Sequence, residues 1–544
     1  MSNSSLTTSI HILDDYSLLN IFYLYRPFLL GEDEEEEVRA MGGSREWTGE
    51  HWWFKLTHVC QRWRNLILGA ASYLGLCLAC TYGTPLADML ARSPPLPLVI
   101  DYEDGDDADM FTAEDEEAII LALAQRDRVR RIRLYLPALK LQKLIVAMEG
   151  EYPILEYLIL MDPHAEKGTV LILPETLETP HLRHLMIGCS IPIRSPLLVT
   201  AAGLVNLYLA LHHPSTYFEP TVLLQSLSMM PQLEILAIAF RFAVPNRDVE
   251  RQLMRTPIMT HVTLPNLRAF GLKAVSAYSE AVLSRITAPR LEDFGVGYPK
   301  QLTFSVPQLL QFMGRTENFR FDRAKFEFGS EQVNVKVSPP ETEMSITAFA
   351  IEVGCLHLDW QVSSVAQIFN ALSQMFSTVE HLTFLHEAHS RSSEEHNEVD
   401  RTEWRKLLRS FSTVKILRIE DGLVKELSRC FRLEDEEDPL EVLPELQELT
   451  CSGSSNTNDA FTSFIDTRRN ADRPVTLKSE PGEFLRFNIF CVLIISPSIV
   501  PEFISASDDD SDYGDSDYND TDDILEPQDY PLAPPEEQDD DGDN

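Results

Sequence analysis

The sequence predicts a mixed α/β chain: a small helical module at the N-terminus, a stack of strand–helix repeats through most of its length, and an acidic tail. Three observations lead there. A six-residue pattern, apolar-x-x-apolar-x-apolar, recurs about a dozen times from Val129 onward. Segments with apolar residues three and four apart fall between those runs. The net charge of −39, from 85 acidic and 46 basic residues in 544, is confined to a few stretches. Positions 32–37, 101–117, 434–441 and 508–543 carry the whole excess and no Lys or Arg, so the rest balances at 46 acidic against 46 basic residues. A nucleic-acid partner is excluded, because phosphate binding needs a basic footprint. With 44% hydrophobic and 9% aromatic residues, a fully disordered polyanion is excluded too.

The N-terminal module, residues 10–80, contains two helical patterns separated by an acidic insertion at 31–49. Asp14 and Asp15 can cap the first and place negative charge at its positive end. Leu18, Leu19, Ile21 and Phe22 supply its apolar residues. The second pattern reads as one helix from Glu50 to Leu68, with Trp52, Leu56, Val59, Cys60, Trp63 and Ile67 along one stripe. So short a module needs a packed neighbour or a partner. A connecting segment with an acidic loop follows at 81–128.

The repeats occupy 129–480. Strands are expected from Val129, Leu155, Leu182, Leu204, Leu233, Leu267 and Leu291, a weak unit at Phe319–Phe321, and further strands from Val353, Val379, Val414 and Leu446. Helices are expected at Leu139–Met148, Val222–Met229, Ala277–Ile286, Val306–Met313, Val365–Phe376 and Trp404–Phe411. No single unit can bury its own apolar face, whereas stacked neighbours share a continuous core. In each run the fourth and sixth residues face that core, and the third, fifth and seventh face the other way. The early runs thus display Arg131, Arg133, Tyr135, Tyr157, Ile159, His184, Asn206 and Tyr208; the middle runs display Ala237, Ala239, Ala269, Gly271, Gly295 and Gly297. Arg131, Arg133, Tyr135, Tyr157, His184 and Tyr208 form the candidate target-binding patch, basic and aromatic. An ordinary α/β domain with parallel strands is the alternative architecture.

Residues 481–504 include the apolar run Ile489–Ile495. Arg486, Asn488, Pro497, Pro501 and Glu502 interrupt the window, so a buried strand or docked segment is expected and not a membrane span, which needs about 20 mostly apolar residues. The tail, 505–544, is expected to be disordered, with Ser507, Ser511 and Ser516 set before acids. The first residues, Met1 to Ser9, lack a secretory pattern. The eight cysteines are scattered through apolar segments, which suits free thiols in a reducing, intracellular compartment. Cys77-Leu-Ala-Cys80 has redox and zinc spacing without a second pair, and His386, His389 and His396 sit in a polar stretch. There is no phosphate loop, dinucleotide fingerprint or Gly-x-Ser-x-Gly, so neither a metal, a cofactor nor a catalytic site is expected.

The repeats resemble the irregular leucine-rich repeat domains of fungal proteins, without the regular Asn after each strand. The module's match is closer. Leu13 to Leu24, followed by Leu56-Thr-His-Val-Cys-Gln-Arg-Trp-Arg-Asn-Leu-Ile, resembles an F-box, with Asp14 where that family usually has Pro. Leu86 to Asp101 resembles the segment that follows the F-box in basidiomycete F-box proteins. The resemblance implies an F-box substrate-receptor subunit of a Skp–cullin–F-box ubiquitin ligase, with no chemistry of its own. Its partners would be the Skp-type adaptor and a target protein. The adaptor-facing positions it implies are Leu13, Leu18, Leu19, Ile21, Phe22, Val59, Cys60, Trp63 and Leu66. The alternative is a repeat scaffold with a degenerate F-box and no ligase role.

Overall fold

One sixteen-stranded sheet runs through the described residues of the computed structural model. These are 13–25, 52–103, 111–163, 170–191, 197–241, 259–316, 319–339, 348–386, 399–432, 438, 440–452 and 460–480. The insertion 31–49, the apolar segment 481–504, the tail 505–544, His389 and His396 lie outside them.

Seven strands lie side by side in chain order, all parallel: β1 (Leu78–Cys80), β2 (Leu98–Glu103), β3 (Val129–Tyr135), β4 (Tyr157–Met161), β5 (His184–Gly188), β6 (Asn206–Leu211) and β7 (Ile235–Phe240). β8 (Val262–Thr263) and β10 (Ile286–Thr287) form a separate parallel pair, while β9 (Ala269–Lys273) and β11 (Asp293–Tyr298) continue the main sheet. β3 begins at the first residue of its repeated pattern, and β4, β5, β6, β7, β9 and β11 each begin at the third residue of theirs. The sheet also extends upstream of position 129, through β1 and β2.

The order then reverses. β12 (Arg323–Phe328), β13 (Gln332–Ser338) and β14 (Phe349–Gly354) form an antiparallel meander whose last strand, not its first, pairs with β11. β15 (His381–His386) then pairs in parallel with β12, and β16 (Ile416–Glu420), β17 (Glu448–Ser452) and β18 (Thr476–Glu480) complete the row. Two sequence expectations are corrected here. The strand near Phe319 begins at Arg323, and that near Val353 is already ending there, with Leu358 opening a helix, Leu358–Ala371. The meander alternates strictly, burying Ala324, Phe326, Phe328, Val333, Val335 and Val337. This period of two is a hairpin signal that a search for six-residue repeats passes over.

Helices cover the core-facing side. Leu141, Leu144 and Ile145, on the helix Ala138–Val146, are fully buried, as are Ile132 and Leu134 of β3. Each such side chain contributes about 1.5–3 kcal/mol by leaving water. The helices expected from Val222, Ala277, Val306 and Trp404 appear within three residues of prediction, the one expected from Val365 starts seven residues earlier at Leu358, and Ala113–Leu123, Asp421–Phe431 and Thr462–Asn470 are additional. The first of these starts inside an acidic stretch for a local reason. Thr112 and Asp115 form a reciprocal capping box, and Glu114, Asp115 and Glu116 occupy the first turn, where the helix dipole favours negative charge.

The single helix expected from Glu50 to Leu68 is two, Trp52–Thr57 and Gln61–Gly69. Cys60 is extended at the break (φ −161°, ψ 167°), and Arg64 Nε donates to the freed Thr57 carbonyl at 3.1 Å. The module is anchored to the sheet. Trp53 Nε1 donates to the Cys77 carbonyl at 3.3 Å, and Leu18, Phe22, Trp52, Trp53, Ile67 and Leu74 join the common apolar core.

Candidate functional site

Two surfaces carry the residues singled out from the sequence. The first lies on the helix Asp15–Tyr25 and its neighbours. Asp14 caps this helix, accepting from Ser17 N at 2.7 Å, and that bond holds its carboxyl below the usual range. Arg62 locks the same end, donating to the Leu13 carbonyl at 2.7 Å and pairing with Asp15 at 2.7 Å. Asp14 thus fixes the start of this helix.

The nine positions that the F-box resemblance implied divide three ways. Leu18 and Phe22 point into the core, with Phe22 edge-on to Trp63 at 4.8 Å. Leu19, Trp63 and Leu66 are partly buried against that core, and Cys60 is half-buried. Leu13, Ile21 and Val59 are exposed. Sequence reasoning missed the rest of that exposed surface: Tyr16 at 75% exposure, Leu24 at 81%, Tyr25 at 59%, with Tyr23 and Tyr73 beside them. A helix with apolar residues on more than one side was the available signal, since only one side can face the core.

The second surface is the side of the sheet opposite the buried Ile132, Leu134, Leu158 and Leu160. The strand register brings Arg131, Tyr157, His184 and Asn206 into one row across β3 to β6. Arg133, Ile159, Met186 and Tyr208 form the next. Tyr135, Met161 and Gly188 form a third. The Arg131 guanidinium sits 5.4 Å from the Tyr157 ring centre, and Tyr157 stacks parallel on His184 at 4.1 Å. The expected basic character is corrected for Arg133. It is buried against Asp101 of β2 at 3.8 Å, so its charge is matched and does not face solvent. The middle positions Ala237, Ala239 and Ala269, and the glycines Gly271, Gly295 and Gly297, are buried and not displayed.

Burial, then the charges of Arg183 and Arg131, lower His184 to about 4. Its folded value therefore lies below the unfolded one of about 6.5. The unfolded chain binds the proton first, so His184 takes stability away as pH falls from about 6.5 toward 4. An NMR titration of the imidazole should show a midpoint near 4. A midpoint at the free-histidine value would contradict the buried stack.

Among the described residues no cluster of three or more His, Cys, Asp or Glu is arranged to hold a metal, and no helix is long and apolar enough to cross a membrane. Cys80 is buried 3.4 Å from the Tyr102 hydroxyl, and burial pushes its thiol up to about 11, which suits a packed thiol more than a reactive one. Cys77 is half-buried.

No protein-family model matches the chain, and no curated protein matches it. Among solved structures it is similar to a chain of the TLR13–ssRNA13 complex, at 12% identity and a TM-score of 0.29. The match covers 74% of this chain and 49% of that one, so it spans about half the length of that protein.

Proposed function

We propose that this chain is a non-catalytic protein-interaction subunit, an F-box substrate receptor whose N-terminal module docks on a Skp-type adaptor and whose repeat face holds a target for ubiquitin transfer by other subunits. The observation that carries the reading is the exposed apolar and aromatic surface of the first helix. Ile21, Leu24, Tyr16 and Tyr25 stay outside while Leu18 and Phe22 hold the helix to the core. Aromatic anchors on a rigid helix are the usual basis of helix-in-groove recognition. The F-box resemblance supplies the identity of the partner.

Exposed and buried positions separate binding from folding. Leu24→Asp and Tyr16→Ala should each weaken co-purification with the adaptor by about thirty-fold or more and leave the melting temperature unchanged. Leu18→Ala should lower stability by about 2–5 kcal/mol. If the unmodified chain recovers no adaptor, the scaffold reading with a degenerate F-box replaces this one. The inward turn of Leu18 and Phe22, both implied adaptor contacts, is the observation that favours that second reading.

A further inference from the structure

Resting on the reading of the repeat face as a target holder, we infer that the patch across β4 to β6 takes an extended polypeptide segment carrying apolar and aromatic side chains and little net charge. Tyr157, Ile159, Met161, Met186 and Tyr208 are all half-buried there, offering edges and faces without full exposure. Tyr and Met are enriched at protein interfaces, and Met adapts its shape to varied apolar partners.

β4, β5 and β6 carry no Asp, Glu, Lys or Arg, and the arginines Arg131 and Arg133 flank the patch on β3. Arg133 and Asp101 neutralise each other beneath the surface. Arg131 lies over Tyr157, and His184 is stacked flush against the other side of that ring. Stacked and shielded by burial and two arginines, this imidazole stays neutral at physiological pH. Gly188 extends the apolar area. A Cβ there would clash with the Met161 Sδ and Cε, so the Met161 side chain crosses onto β5 where a side chain would otherwise stand.

Size argues for a segment and not a folded domain. Three strands at about 4.8 Å spacing and three alternate residues along each make a patch roughly 10 by 13 Å. That is well below the roughly 800 Å² per partner of a stable protein complex. It accommodates about four extended residues at about 3.3 Å each. The patch is therefore an anchor point of modest affinity, with neighbouring contacts completing the grip on an intact target.

The test is a selection of random displayed peptides, about twelve residues long, on the immobilised full-length chain, followed by fluorescence anisotropy of labelled winners. The expected winners are rich in Phe, Leu, Trp or Tyr, near neutrality, and change affinity less than about twofold between low and high salt. They should lose about tenfold or more on Tyr157→Ala or Met186→Ala, with melting temperature as a check on folding. Ile159→Asp, which places a charge in the patch, should exclude the same peptides. Acidic winners whose affinity collapses with salt would overturn the inference. So would winners indifferent to all three substitutions, or no winners. Peptide binding needs no adaptor, so this failure is distinguishable from failure of the ligase reading.

Discussion

Lys273→Met will destabilise the fold by about 3–5 kcal/mol, although no partner, ligand or exposed surface is touched. Lys273 of β9 reaches across β11 to Glu352 of β14, and both are buried, Glu352 at 1% exposure. Gly297 is the residue of β11 between them in register. A Cβ at Gly297 would stand 2.8 Å from the Lys273 Cγ, so the lysine stem occupies the space a side chain would need. Glycine there is a steric requirement of the ion pair. Burial pushes the Glu352 carboxyl up while Lys273 draws it down, so losing the lysine leaves a buried acid with only the weaker pull of Arg241. Gly297→Ala should act in the same direction and less strongly, because the lysine stem can shift. Lys273→Met combined with Glu352→Leu should recover most of the loss, since a buried pair replaced by packed apolar groups is often neutral or stabilising. Urea denaturation of Lys273→Met, Glu352→Leu and the double variant beside the unsubstituted chain closes a double-mutant cycle. A coupling below about 1 kcal/mol would mean the pair is not formed as described.

Trp404→Ala will cost about 3–5 kcal/mol, while Trp404→Phe will cost less than about 1.5. Trp404 is fully buried on the helix Arg401–Arg409 and meets Phe328 of β12 and Phe384 of β15 edge-on, each at 5.6 Å. Its ring closes an aromatic core that also holds Phe326, Phe369, Phe376 and Phe411. Among the described residues the indole Nε1 has no hydrogen-bond acceptor, so replacing it with a phenyl ring removes a buried unpaired donor along with some volume. The ratio of the two losses, read from urea midpoints, tests whether packing or the polar atom dominates. A Phe variant as damaged as the Ala variant would show that the indole makes a bond this structure lacks.

The sequence was most readable where the code is local and repeated. The runs from Val129, Leu155, Leu182, Leu204, Leu233, Leu267 and Leu291 became strands of one sheet because each supplies two core residues two positions apart. It was least readable where strand identity depends on a distant neighbour. β2 has no leading apolar residue at the repeat spacing, and its pairing with β3 decides the fate of Arg133. A six-residue motif cannot report that Asp101, thirty-two positions upstream, will sit beside that arginine. In the module, apolar periodicity found the first helix but not which of its residues turn outward. Leu18 and Ile21 differ only in which side meets the core, and the neighbours Ile67 and Leu74 decide that.

The reversed meander has a consequence for how the chain is assembled. From β1 to β7, each new strand emerges next to one already made and can be laid down at once. At β12 this stops. Its neighbours are β13 and β15, both still to come, and the place beside β11 stays vacant until β14 arrives. The row is therefore two zippers joined by a clasp that closes only as a set of three. Unravelling started at either end should run freely to that clasp and halt there.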